Sequence, residues 1–202
     1  MKSEPEKKFA NKFRACFGIL LATGFLSAHA APQTFPDSSL YQLRSTWITD
    51  AGQKLRLADL QGKPRLFTMF FGSCQTACPM VLARLKLLES KLPSDWEQRA
   101  GFVLVTMDPG RDDSGGLAAY RKQTDLRTDR YTLLRGNPED TRELAMLLGI
   151  AYGPSKKNGG IEHTVAMILL DRKGRIIRRD ESLEDEEGQL KALQSAITDA
   201  GH

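Results

Sequence analysis

Arg65-Leu-Phe-Thr-Met-Phe-Phe71 is a continuous apolar run, set off by the chain break Gly62-Lys-Pro64. That is the pattern of a strand covered on both faces rather than one half-open to water. Beyond it, Pro79 opens a helix in which Val81, Leu82, Leu85, Leu88 and Leu92 fall on one face. Phe102-Val-Leu-Val-Thr106 repeats the buried-strand pattern and ends at Asp108-Pro109-Gly110. Strand, helix and buried strand in that order predict a βαβ unit, so the chain is expected to build a parallel core.

The flanking segments add antiparallel pieces. Leu40–Leu57 reads as a hairpin turning at Asp50-Ala-Gly52. Ser114 caps a short helix to about Gln123, and Tyr131–Leu134 reads as extended. Asn137-Pro138 starts a helix through Leu148, with Asn as cap and Pro at the first position. Thr164–Leu170, the turn Asp171–Gly174 and Arg175–Arg178 form a second hairpin, and Glu184–Ala200 a last amphipathic helix. The predicted class is α/β: a mixed central sheet with helices on both faces and an N-terminal β-hairpin. A thioredoxin-like fold has this arrangement. Its reactive motif sits where the first central strand runs into its helix, which here is Phe71-Gly-Ser-Cys74-Gln-Thr-Ala-Cys78-Pro79.

Residues 1–30 read as a secretory signal peptide. A basic stretch to Arg14 precedes the apolar run Ala15–Ala28, and Ala28-His29-Ala30 is a small-x-small cleavage site. The run of 14 residues falls short of the roughly 20 that span a bilayer. The mature chain is expected to be one thioredoxin-like domain, residues 31–202, in the periplasm; an uncleaved leader would instead anchor it to the membrane, facing the same compartment. Cys16 lies at the start of the apolar run and not after it, so it does not sit where a lipid-attachment cysteine belongs. Of 29 basic and 25 acidic residues, five and two fall in the leader, leaving 24 and 23. The near-neutral remainder gives no reason to propose nucleic-acid binding. With 17 Gly, 9 Pro and 3 Cys in 202 residues, collagen-like, low-complexity and disulfide-dense classes are excluded.

After the leader, two cysteines remain, Cys74 and Cys78, and two histidines, His163 and the terminal His202. A thiol pair in an exported protein is a disulfide, a redox centre or a metal site. If one helix includes both cysteines, their side chains share a face one turn apart, near the upper end of disulfide reach. The helix N-terminus favours the thiolate. His163 follows Lys156-Lys-Asn-Gly-Gly160 and directly precedes the apolar strand, so it points to the sheet edge where the cysteines lie. Two thiolates and an imidazole suit Cu(I) and disfavour magnesium or calcium. A three-ligand catalytic zinc is the other metal reading, since a closed structural zinc site wants four protein ligands. Without a metal, the cysteines read as a structural disulfide and His163 as a hydrogen-bonding residue, although so short a loop gains little from a disulfide. Asp108–Asp113 reads either as a turn bordering the site or as a solvated Pro-Gly turn. Met69, Met80 and Met107 read as core filling, with thioether ligation the alternative. Glu184–Glu187 complements the dipole of the last helix.

Lys63-Pro64, Phe70-Phe71-Gly72, Cys74-x-x-x-Cys78-Pro79, Asp108-Pro109-x-Arg111-Asp112 and His163, in this order and spacing, resemble the Sco/SenC family over residues 38–198. The resemblance implies a thioredoxin-fold copper protein of the mitochondrial inner membrane or bacterial periplasm. It implies delivery of copper, as Cu(I) or Cu(II), to the binuclear copper site of cytochrome c oxidase or to another periplasmic carrier, or thiol reduction that prepares that site. By motif position the copper ligands are Cys74, Cys78 and His163. Gln75 stands where the family carries a proline after the first cysteine, while Pro79 keeps the second. Losing the first ring loosens the loop and frees an N–H, and ligation requires neither effect.

The rival function is a thiol–disulfide oxidoreductase acting on exported proteins through the redox-active pair Cys74/Cys78. Exchange enzymes of this fold use CxxC and a proline before the facing strand, whereas this chain has CxxxC and Gly160-Ile-Glu-His163. Peroxidases of the fold place Thr or Ser three residues before the reactive cysteine, where this chain has Phe71.

Overall fold

In the computed structural model, which describes residues 35–155 and 161–199, the run at residue 65 becomes β3 (Arg65–Phe70), buried along almost its whole length. It leads into α1 (Ala77–Ser90), then β4 (Gly101–Thr106), α2 (Ser114–Thr124) and β5 (Tyr131–Arg135). β3, β4 and β5 are parallel neighbours in that order. Both crossovers therefore step the same way across the sheet. Because such crossovers are right-handed, α1 and α2 share a face. Leu85 of α1 and Leu117 of α2 accordingly pack into one core cluster with Leu66, Phe70, Phe102, Leu104 and Leu133. The alternate residues Phe67, Met69, Val103, Val105 and Leu134 face the other way, against Leu144 and Ala145 of α3 (Pro138–Leu147). The strands are apolar on both faces because both faces are covered.

Antiparallel strands complete the sheet on either side. β1 (Trp47–Thr49) pairs with β5 and with β2 (Lys54–Leu55) across the turn at Asp50–Gly52. On the far side, β8 (Met167–Leu170) pairs antiparallel with β3, and β9 (Ile176–Asp180) with β8. The seven-strand order is β2-β1-β5-β4-β3-β8-β9. The last helix, α4 (Glu186–Thr198), joins the α1 face through Leu193 and Ile197. Its acidic start has two distinct jobs. The Asp185 carboxylate accepts the Gly188 N–H as N-cap, and Glu186 forms ion pairs with Arg84 and Lys91 of α1.

Several boundaries differ from the sequence-based expectations. The first hairpin is confined to residues 47–55, and Leu40–Gln42 is instead a 3-10 turn capped by Ser39. α1 starts at Ala77, so Pro79 is its third residue; a first-turn N–H lacks an intrahelical partner, which lets proline sit there. Asp113, not Ser114, caps α2, its carboxylate accepting the Gly116 N–H at 2.7 Å. An unanticipated two-stranded arm, β6 (Tyr152–Pro154) with β7 (Ile161–His163), stands outside the main sheet. The expected signal peptide at residues 1–30 and the terminal His202 lie outside the described residues. Among the described residues no helix is long and apolar enough to cross a membrane.

Candidate metal centre

Topology brings two distant parts of the chain to one end of the sheet. β3 delivers the cysteine loop at its C-terminal end, and β8, running antiparallel beside it, begins at that same end, with Thr68 opposite Met167. His163 lies just before β8 at the end of β7, where it pairs with Tyr152 of β6. The Thr164 N–H donates to the Ala151 carbonyl at 2.9 Å, tying the arm's two strands beyond that pair. The sulfurs of Cys74 and Cys78 and a ring nitrogen of His163 consequently lie within 4.8 Å of one another. One ion with bonds of about 2.0–2.3 Å sets three donors roughly 3.5–4.0 Å apart, so it spans such a set with at most about 1 Å of closing.

The two cysteines occupy different environments. Cys74 lies before the helix, half-buried, and packs against the clusters on both faces of the sheet. Cys78 is inside α1 and only 5% exposed. Both are thiols rather than a disulfide. The Cys78 backbone N–H donates to the Cys74 sulfur at 3.4 Å, so the first turn of α1 serves that atom directly. Burial pushes the Cys74 thiol up, but hydrogen bonds from the Cys78 thiol, the Cys78 and Thr76 N–H groups and the Thr76 hydroxyl outweigh it. The net effect holds Cys74 below the ordinary thiol range. Cys78 is pushed up to about 12, first by burial and then by its bond to Cys74. Cys74 is thus the more readily ionised thiol of the pair and the better placed nucleophile, with Cys78 the sheltered partner.

His163 is oriented from two sides. Its ring stands edge-on to Phe71, centroids 5.8 Å apart. Nδ1 lies 3.1 Å from the Thr164 carbonyl oxygen. A protonated Nδ1 donates to that carbonyl, which leaves Nε2 to ligate; this is how proteins commonly fix a metal-binding imidazole.

Asp112 is the residue whose place sequence reasoning left open. Its buried carboxylate accepts the Gly72 N–H at 2.9 Å and the Thr106 hydroxyl at 2.5 Å. Thr106 in turn accepts the Asp108 N–H at 3.0 Å. The stretch 108–113 therefore borders the site and laces the end of β4 to the start of the cysteine loop. A Cβ at Gly72 would meet the Asp112 carboxylate at 2.6 Å, so this close approach requires glycine. The signal available in sequence was the pairing of Gly72 with an acid just past a second buried strand. Asp112→Ala leaves the fully buried Thr106 hydroxyl without its acceptor. It is expected to lower unfolding free energy by about 1–3 kcal/mol in urea titration, with Asp112→Asn recovering part of the loss.

Met69 and Met107 are buried in the cluster on the α3 face, the packing role expected of them, while Met80 is 63% exposed on α1. A cleft of about 1180 Å³ between residues 37–48 and the start of α3 is lined by none of the three metal-capable residues.

A thioredoxin-like fold carrying two thiols and an imidazole at the end of its central strand defines a metal- or redox-active protein of that fold class. The family model for SCO1/SenC matches residues 38–198, and the chain belongs to that family. No curated protein matches the chain. Among solved structures, apo Sco1 from Thermus thermophilus is similar at 26% identity and TM-score 0.60, covering 82% of this chain and 99% of that one. Arabidopsis thaliana ScoI with copper bound matches at 20% identity and TM-score 0.66, over 76% of this chain and 95% of that one. Yeast Sco1 with copper bound matches at 20% and 0.65, over 78% and 88%.

Proposed function

We propose that this chain is a copper carrier that holds the ion through Cys74, Cys78 and His163, acts in the periplasm after losing residues 1–30, and supplies the copper site of cytochrome c oxidase. The observation that carries the reading is the convergence of two soft sulfurs and one oriented imidazole within 4.8 Å. That donor set suits Cu(I): thiolates match a soft ion, and three donors suffice for it. Family membership and the copper-bound relatives support the choice of metal. The ion is cargo rather than a resident catalyst. The fold holds the donors at a sheet end, with Cys74 half-exposed, where a partner can reach them.

The asymmetry of the thiols favours a second activity of the same site. The Cys74 thiolate attacks a partner's disulfide, forming a mixed disulfide and expelling one partner thiolate. Cys78 then attacks Cys74, releasing the second partner thiol and leaving this chain oxidised. Such a step prepares a partner's cysteines for metal. The two activities exclude each other in time, since Cu(I) needs both thiols reduced.

Metal analysis of the reduced protein beside a thiol count tests the carrier reading. About one Cu(I) per chain, masking both thiols, is expected. A full thiol count with no retained copper would overturn it in favour of the reductase.

A further inference from the structure

Beside the three donors lies a second feature, a cleft of about 450 Å³ bounded by Asp108, Arg111, Arg142, Tyr152, Pro154 and Ile161. Two routes, one of strand pairing and one of hydrogen bonds, join it to the donor site. Tyr152 is the register partner of His163, and Asp108 belongs to the loop that Asp112 ties to Gly72. The cleft has two guanidinium groups against one carboxylate. Arg111 reaches Asp108 only at 3.4 Å and Arg142 reaches Glu139 only at 3.9 Å, with the arginines 69% and 66% exposed. Neither contact is the short bidentate fork that an arginine makes with a committed carboxylate. Pro154, Ile161 and the half-buried Tyr152 supply an apolar wall under this cationic rim. Cationic forks above an apolar wall suit a carboxylate-bearing peptide segment.

We propose that this cleft docks an acidic segment of the protein with which the chain exchanges its cargo, placing that partner's own donors beside Cys74 and His163. The inference rests on the copper-carrier reading. Charge complementarity argues for a protein occupant: weak, steerable contacts at a rim speed encounter and set orientation, which is what a transient handover needs.

The test uses the full mature chain and a fluorescein-labelled hexaglutamate peptide, with its hexaglutamine counterpart as control and inorganic phosphate as competitor. Anisotropy should report binding of hexaglutamate over hexaglutamine, weakening as salt is raised. Arg111→Glu/Arg142→Glu should weaken it about tenfold, the scale of reversing two exposed charges. Its Cu(I) affinity, measured by chelator competition, should match wild type, since neither arginine is a proposed ligand. Equal binding by wild type and double variant would overturn the docking site. So would displacement of the peptide by phosphate at matched concentration, which would make the cleft a free-anion site. Failure of wild-type Cu(I) binding would instead overturn the carrier reading and, with it, the partner's identity.

Discussion

Cys74→Ser or Cys78→Ser should each cut Cu(I) affinity by at least about a hundredfold, the upper end of what loss of a mere supporting group costs a metal site. A serine hydroxyl stays protonated at neutral pH and offers a hard oxygen, so the ion is left with one thiolate and the imidazole. The two variants should differ in a second respect. Cys74 is half-exposed and its replacement changes little of the core, whereas Cys78 is 5% exposed within α1 and its serine buries a more polar hydroxyl in place of the thiol. A melting curve beside the chelator competition separates lost ligation from lost fold. Wild-type affinity in either folded variant would mean that the site lies elsewhere.

His163→Ala should weaken Cu(I) by about tenfold or more while leaving the dithiol chemistry largely intact. The hydrogen bonds that hold Cys74 below the ordinary thiol range come from Thr76 and Cys78 and not from His163. Exchange with a small disulfide, run beside the copper competition, should therefore remain near the wild-type rate. Unchanged copper affinity with a collapsed exchange rate would invert the assignment and make His163 a proton-transfer group for a reductase.

The sequence made the central layer and the cysteine loop legible because both are local signals. Unbroken apolar runs such as Leu66–Phe71 announce strands covered on both faces, and a cysteine pair at the junction with a helix needs no long-range information. The same holds for Asn137-Pro138, whose cap and first-turn proline are where expected. What the sequence hid is what tertiary contact decides. The segment at Leu40–Gln42 coils into a 3-10 turn that buries Leu40 and Tyr41 rather than extending a strand. β6 and β7 are three residues each, too brief for periodicity to register, so the support of His163 could not be read in advance. Asp112 read equally as part of a turn bordering the site and as a charge in a solvated turn. Its partners, Gly72 and Thr106, are adjacent only because β3 and β4 are.

Among the described residues, the arm that bears His163 is a ladder of its own, sharing no strand pairing with the seven-stranded sheet whose central strand leads into the cysteines. On the copper-carrier reading, an ion in this centre would be held in two hands belonging to different parts of the body. The two hands meet at one contact, the His163 ring standing edge-on to Phe71 of the cysteine loop. On the copper-carrier reading, the sulfurs would be placed by the sheet and α1, and the imidazole by the arm.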